Sequence, residues 1–365
     1  MVASLYYPLY LSVITVLTIA LSIRYINYPD TRLLNKTRHQ SIAAISILAL
    51  LVLFIGFRPI SYVFVDTINY KRMFDHFSMN YFTFDWNAEN YLFDNLFLYL
   101  SSSKAEISTF FIIIAAIYFG CIYLACNKLF PHDTLYSIVF YLGAFSTFSY
   151  ATNGIKAGAA ASIFLCAIAY RRQLLPCIAF LFTSLGFHHS MILPVIAFII
   201  CTFYNRPKAY LYCWILCLFI AAAHISFFQT LFASMSDESG AGYLSTDDTG
   251  FRTGFRLDFI IYSSAPVILG YYIIKYRHYY SKTYNFIYCL YLLTNSVWML
   301  CMYASFTNRI AYLSWFMLPV VLLYPFLDKE FMHKQYSAAN KVMWGHLGFT
   351  LALTIIYYGI FKTSL

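Results

Sequence analysis

Long apolar blocks separated by short polar joints run through the whole chain. A helix needs roughly 17–25 predominantly apolar residues to cross a bilayer. About twelve blocks approach that length: 3–23, 40–57, 107–126, 134–152, 154–170, 173–187, 189–204, 209–228, 258–275, 284–305, 310–327 and 342–361. Strand-like alternation is absent, and backbone groups in hydrocarbon must be satisfied inside a helix or a closed barrel. The pattern therefore predicts an all-α polytopic integral membrane protein with about twelve transmembrane helices. Residues 1–365 read as a single transmembrane domain without a detectable internal repeat, with two long outer loops, 58–106 and 229–257. The first block has no basic leading segment and no small-residue cleavage site, so it reads as a retained span.

The first long loop predicts amphipathic helices of its own. If 66–77 is helical, Asp66, Asn69, Tyr70 and Phe74 share a face. The stretch NAENYLFDNLFLYL predicts a second such helix, with Tyr91, Phe93, Leu96, Phe97 and Leu100 partly buried. Each has two readings at this point: a polar face in water at the membrane surface, or a polar face turned to a ligand.

Composition supports the membrane reading. Hydrophobic residues make up 61% of the chain, aromatics 21% and charged residues 11%, with mean hydropathy +0.66, against about 25% charged in soluble proteins. The net charge of +9 is explained by topology. Taken alternately, one set of joints carries 15 of the 24 basic residues and 4 acids; the other carries 9 bases and 11 acids. Basic joints stay in the cytoplasm, so both termini and both long loops are expected outside. No nucleic-acid partner is needed to account for the basic balance. The nine cysteines lie in apolar blocks without zinc spacing, which predicts core-filling thiols, no metal site and no disulfide framework.

Several charged or titratable residues fall on the outer side. Lys156 sits a few residues inside a span of small side chains, NGIKAGAAAS, where a charge is costly and tends to line a cavity or to snorkel to the interface. His188 and His189, in LGFHHSMILP, offer imidazoles near the membrane surface, the usual proton acceptors at neutral pH. Arg58, Arg252, Arg256 and Arg309 stand at outer membrane boundaries. Their planar forks match phosphate, or each pairs with one of the outer acids, such as Asp258 or Asp248. Glu89 is a candidate base or a partner for an arginine, and Tyr70, Tyr91 and Trp86 are candidates for contact with sugar. No glycine-rich phosphate loop, nucleophile elbow or H-E-x-x-H occurs.

Taken in order, these residues form a pattern. A span ends in GFRP; D-x-x-x-Y-x-x-x-F follows at Asp66, Tyr70 and Phe74; E-x-Y follows at Glu89 and Tyr91. Then come N-G-I-K-A-G at Asn153 to Gly158, F-H-x-S at Phe187 with His188 and Ser190, and N-R-I at Asn308 to Ile310. The set resembles the EpsG/Wzy-type family of bacterial polysaccharide polymerases over roughly residues 50–325. Phe64 and Val65 stand where a glycine is common before the aspartate, and Lys156 stands where arginine is common. Lysine keeps the charge and loses the fork.

The resemblance implies a membrane glycosyltransferase that joins undecaprenyl-diphosphate-linked oligosaccharide units into O-antigen or exopolysaccharide. It would act at the extracytoplasmic face of the bacterial inner membrane, without cofactor or metal, with lipids and a chain-length regulator as further partners. Arg58, Lys156, Arg252, Arg256, Arg309, Tyr70, Tyr91 and His189 are then expected to contact diphosphate or sugar. His188 is the first candidate base, with Asp66 and Glu89 the others. The rivals are an O-antigen ligase, which tends to carry its large outer loop late in the chain, an O-acetyltransferase, and a flippase or transporter, which would place charges along a path through the bundle.

Overall fold

The computed structural model describes residues 2–26, 37–225, 227–228, 254–304, 307–328 and 336–356. Among them there are helices, short 3-10 turns and no strand. In chain order the helices are α1 (Tyr6–Ile26), α2 (Thr37–Gly56), α3 (Thr67–Phe77), α4 (Tyr91–Ser102), α5 (Ile107–Leu129), α6 (Thr134–Leu142), α7 (Phe145–Thr152), α8 (Ile155–Ala169) and α9 (Leu174–Phe187). They continue with α10 (Ile192–Phe203), α11 (Pro207–Ala222), α12 (Leu257–Lys275), α13 (Lys282–Leu300), α14 (Thr307–Trp315), α15 (Leu318–Leu327) and α16 (Tyr336–Thr354).

Four helical stretches among the described residues are long and apolar enough to cross a membrane: Ala3–Tyr25, Ile107–Leu129, Leu257–Lys275 and Thr307–Leu327. Five shorter apolar helices are Gln40–Gly56, Ile155–Ala169, Leu174–Phe187, His189–Phe203 and Pro207–Ala222. Fewer stretches than twelve reach span length, for physical reasons. Residues 134–152 break into α6 and α7, and α13 dilutes its apolar run with buried Thr294, Asn295 and Ser296.

The chain divides into two compact units, residues 1–188 with 334–365, and residues 189–333. In the first, the break between α6 and α7 frees backbone carbonyls that water cannot reach. Side chains take their place: Tyr10 donates to the Leu142 carbonyl at 2.6 Å, Thr350 to Gly143 at 2.7 Å, Thr147 to Tyr141 at 2.8 Å and Tyr118 to Thr147 at 3.2 Å. Broken helices survive in apolar surroundings only when such substitutes exist. A second buried polar group joins α1, α6 and α16, where Tyr136 donates to Asn340 at 2.7 Å and Tyr336 donates to Asp133 at 2.7 Å.

The second unit is organised on buried Asn295. Its amide oxygen accepts from the Trp214 indole at 2.8 Å, and its amide nitrogen donates to Ser314 at 3.0 Å and Ser263 at 3.2 Å. One side chain thereby ties α11, α12, α13 and α14 together, satisfying every polar group it buries.

Candidate functional site

The site grows from the end of α2. Gly56 lies against α5 so closely that a Cβ there would stand 2.4 Å from Ile112 Cγ1. That approach is open only to glycine, and it delivers Arg58, two residues on, onto Phe111. The guanidinium carbon lies 3.9 Å from the Phe111 ring centroid, within cation–π range. Arg58 is 4% exposed. Its Nη1 donates to the Ile55 carbonyl at 2.9 Å, while Nε and Nη2 are buried with no partner. Burial pushes its pKa down to about 10, opposed by the nearby Tyr70 and Tyr6 hydroxyls. It is therefore charged at neutral pH, with two donors unused.

Loop 58–106 folds over this arginine as the two predicted helices. α3 begins directly after Asp66, whose carbonyl accepts from Tyr70 N–H at 3.0 Å. Thr67 and Phe74 are buried and Tyr70 is half-buried, whereas Asn69 points to the exposed side and leaves the face expected for it. α4 lies beside α3 and parallel to it. Tyr70 packs on Phe93 (6.2 Å) and Phe97 (6.1 Å), Phe74 packs on Phe97 (5.3 Å), and Ser101 donates to the Phe74 carbonyl at 2.5 Å. Phe110 and Phe111 of α5 close this aromatic box under Tyr70, at 6.2 and 6.4 Å.

Lys156 enters from the start of α8. Gly158 makes that entry possible: a Cβ there would lie 2.5 Å from the Tyr150 carbonyl oxygen, so only glycine lets α8 fold back on α7 this tightly. The Lys156 ammonium sits 3.1 Å from Asp94 Oδ1 and 5.1 Å from the Phe93 ring. Asp94 also accepts the Asn90 N–H at 3.0 Å, closing the first turn of α4. Lysine and aspartate are each about a quarter to a third exposed, so a ligand can reach the pair.

His188 caps α9, its N–H donating to the Ser184 carbonyl at 3.1 Å. Ser184 in turn donates to the Ala160 carbonyl at 2.9 Å, which fixes the antiparallel register of α8 and α9. One turn further along both helices brings His188 level with Lys156. Gly186 presses on α4, where a Cβ would lie 2.7 Å from Leu92 Cγ. The starts of α3, α4 and α8 and the end of α9 thus meet, bringing Asp66, Tyr70, Glu89, Tyr91, Lys156 and His188 to one end of the first unit. Arg58 joins them through Phe111. Glu89 is exposed, and Asp66, Tyr91 and His188 are half-buried. The three helix starts add partial positive charge to two cations.

Sequence reasoning placed Phe93 on the buried face of its helix, where it is found, but missed Asp94, the partner of Lys156, and the apolar support Phe111. It also missed Tyr6 of α1, which stacks on Phe54 at 4.5 Å and stands near Arg58. An acid in the middle of NAENYLFDNLFLYL was a visible signal for Asp94. Nothing local marks Tyr6, which lies 52 residues before Arg58.

The remaining candidates belong to the second unit. Arg256 is 7% exposed and forks onto Asp258, with Nε–Oδ1 at 2.9 Å and Nη2–Oδ2 at 2.6 Å, over the Phe259 ring at 3.7 Å. His189 opens a 3-10 turn, His189–Met191, and is half-buried; Arg309 is exposed on α14. Arg252 lies outside the described residues. Among the described residues no group of three or more His, Cys, Asp or Glu is placed to hold a metal ion.

The EpsG family model matches residues 41–363. The chain belongs to the EpsG family. The match takes in every residue of the first-unit site described above except Tyr6, and it points to a membrane protein with a polymerase-type role in polysaccharide assembly. No curated protein and no solved structure matches the chain. Within the EpsG family frame, the junction of α3, α4, α8 and α9 gathers Lys156, Asp94, Asp66, Glu89 and His188 at one end of the first unit.

Proposed function

We propose that this chain is a membrane glycosyltransferase that lengthens polysaccharide by joining undecaprenyl-diphosphate-linked oligosaccharide units at the extracytoplasmic face of the bacterial inner membrane. The observation that carries the reading is Arg58, a buried guanidinium with two unpaired donors beside Tyr70. A buried charged group with unused donors is costly unless an anion completes it. A diphosphate on a polyprenyl tail supplies that anion, and its tail suits a chain that lies in the membrane.

In the proposed step, an acceptor sugar hydroxyl attacks the anomeric carbon of the donor glycan. The new C–O bond forms as the anomeric C–O bond to the diphosphate breaks. The electron pair leaves with undecaprenyl diphosphate, whose charge Arg58, Lys156 and the helix starts stabilise. The acceptor proton passes to His188, with Asp66 and Glu89 as the other bases within the same junction. Side-chain cations here take the part that a metal ion plays in other phosphate chemistry. Asp94 holds Lys156 in place until the anion arrives.

The test is the glycan ladder made by cells carrying Arg58→Gln, Lys156→Gln or His188→Ala at wild-type protein levels. Each variant is expected to lose the long rungs, with at least tenfold less polymer, and Arg58→Lys is expected to recover part of the loss. Full-length ladders from all three variants would refute the site. Purified protein in detergent should also lengthen lipid-linked oligosaccharide with no second compartment present. Protein that passes oligosaccharide across a bilayer and never lengthens it is a transporter instead.

A further inference from the structure

Between α3 and α4 the chain lays out aromatic rings in the open. Phe84, Trp86 and Tyr91 form one cluster, with ring centroids 4.7 Å apart for Phe84–Trp86, 5.1 Å for Phe84–Tyr91 and 6.0 Å for Trp86–Tyr91. Phe82 extends it to Tyr99 at 5.5 Å. Trp86 is 75% exposed, a large apolar face that folding leaves uncovered. The segment is nevertheless held. Asp85 N–H donates to Asn95 Oδ1 at 2.8 Å, and Asn95 Nδ2 returns a bond to the Asp85 carbonyl at 2.9 Å, while Asp85 Oδ1 accepts the Asn87 N–H at 2.9 Å. Asn95 is itself buried on α4. The rings are thus fastened to the helix that also carries Asp94, and Tyr91 stands at its first position.

We propose that Phe84, Trp86 and Tyr91 form a glycan-binding platform that holds a sugar residue of the lipid-linked unit beside the diphosphate site. The C–H face of a pyranose stacks on an aromatic ring, and the ring edges and neighbouring polar groups take its hydroxyls. Exposed Asp85, Asn87 and Glu89 supply such groups within the same segment. Charge decides against the other occupant of an exposed aromatic patch, the lipid surface. Residues 78–91 hold two acids and no lysine or arginine, whereas segments that settle on anionic lipid are rich in basic residues. The same acids favour neutral or amino sugars over uronic acids. The inference rests on the reading above, that the chain acts on lipid-linked glycan.

The experiment uses the full chain in nanodiscs against an array of neutral, amino-sugar-containing and uronic-acid-containing oligosaccharides. Wild type is expected to bind members of the first two groups. Trp86→Ala is expected to bind about tenfold more weakly, and Trp86→Phe, which keeps a stacking face, within about threefold of wild type. In parallel, nanodiscs containing brominated lipid report whether Trp86, taken as the difference between wild type and Trp86→Ala fluorescence, lies in the bilayer. No quenching of that difference is expected. Absence of neutral or amino-sugar binding by wild type, equal binding by Trp86→Ala, a preference for uronic acids, or quenching by bromine would each overturn the platform. Array binding lost on Trp86→Ala, together with full ladders from Arg58→Gln and Lys156→Gln cells, would uphold the platform and overturn the polymerase reading instead.

Discussion

Lys156 and Asp94 show how a charge near a membrane boundary is held for use. At 3.1 Å and about a quarter to a third exposure, the pair contributes little to stability, since solvated ion pairs add about 0–1 kcal/mol. Its interest lies in what happens when an anion arrives. On the proposed reading Asp94 opposes a diphosphate that Lys156 attracts, so removing the carboxylate charge while keeping its shape should help the anion. Asp94→Asn retains an oxygen to accept the Asn90 N–H. Calorimetric titration with inorganic pyrophosphate is expected to show tighter binding by Asp94→Asn than by wild type, by roughly three- to tenfold at low salt. The gain should shrink as salt rises, because screened charges interact less. Weaker binding by Asp94→Asn would mean that the aspartate orders the site more than it opposes the ligand, and the assignment of Lys156 to the phosphate would fail.

The elements that build the site depend on glycines that the sequence shows without explaining. Gly56, Gly158 and Gly186 each sit where a Cβ would meet another helix or turn at 2.4–2.7 Å. Gly158→Ala is the sharpest case, because the obstructing atom is a backbone carbonyl oxygen that has no rotamer to yield. Overpacking of this kind costs about 1–3 kcal/mol, so its melting temperature in detergent should fall by several degrees. Gly120→Ala on α5 is the control, with nothing within 4 Å of the new methyl, and should be neutral or slightly stabilising. Equal melting temperatures for the two variants would show that α7 and α8 are not packed as described. These positions also mark what was legible beforehand. α3 and α4 followed from polar and apolar spacing, and Asp66, Tyr70, Lys156 and His188 stood out as polar groups at membrane boundaries. The break between α6 and α7 was easy to miss, because FYLGAFSTF carries no charge and only Gly143, Ser146 and Thr147 interrupt its apolar run, and what permits it is largely the Tyr10, Tyr118 and Thr350 hydroxyls from distant helices. The Arg58 cradle was hidden for the same reason: Tyr6 and Phe111 reach it through packing, which has no period in the chain.

For the molecule as a whole, the alternation of basic joints predicts a topology that the first unit can test on its own. A shared reaction centre requires α3, α4, the start of α8 and the end of α9 to face the same compartment, and the alternation of basic joints predicts that the linked ends of α8 and α9, at Arg171 and Arg172, face the other. Single cysteines at exposed Asn69 and Glu89, in a cysteine-depleted chain, report one side; a cysteine at Arg172 reports the opposite side. A membrane-impermeant maleimide added to spheroplasts is expected to label the first two positions without lysis, and the third only after lysis. The physical ground is the steep cost of moving lysine and arginine across a membrane during insertion, with fifteen basic residues predicted on one side against nine on the other. Labelling of residue 172 from outside would overturn the predicted topology of α8 and α9, and with it the argument that the proposed diphosphate site faces outward. Labelling of residues 69 and 89 from opposite sides would separate α3 from α4, against the parallel packing of Tyr70 and Phe74 on Phe93 and Phe97, and would dissolve the site altogether.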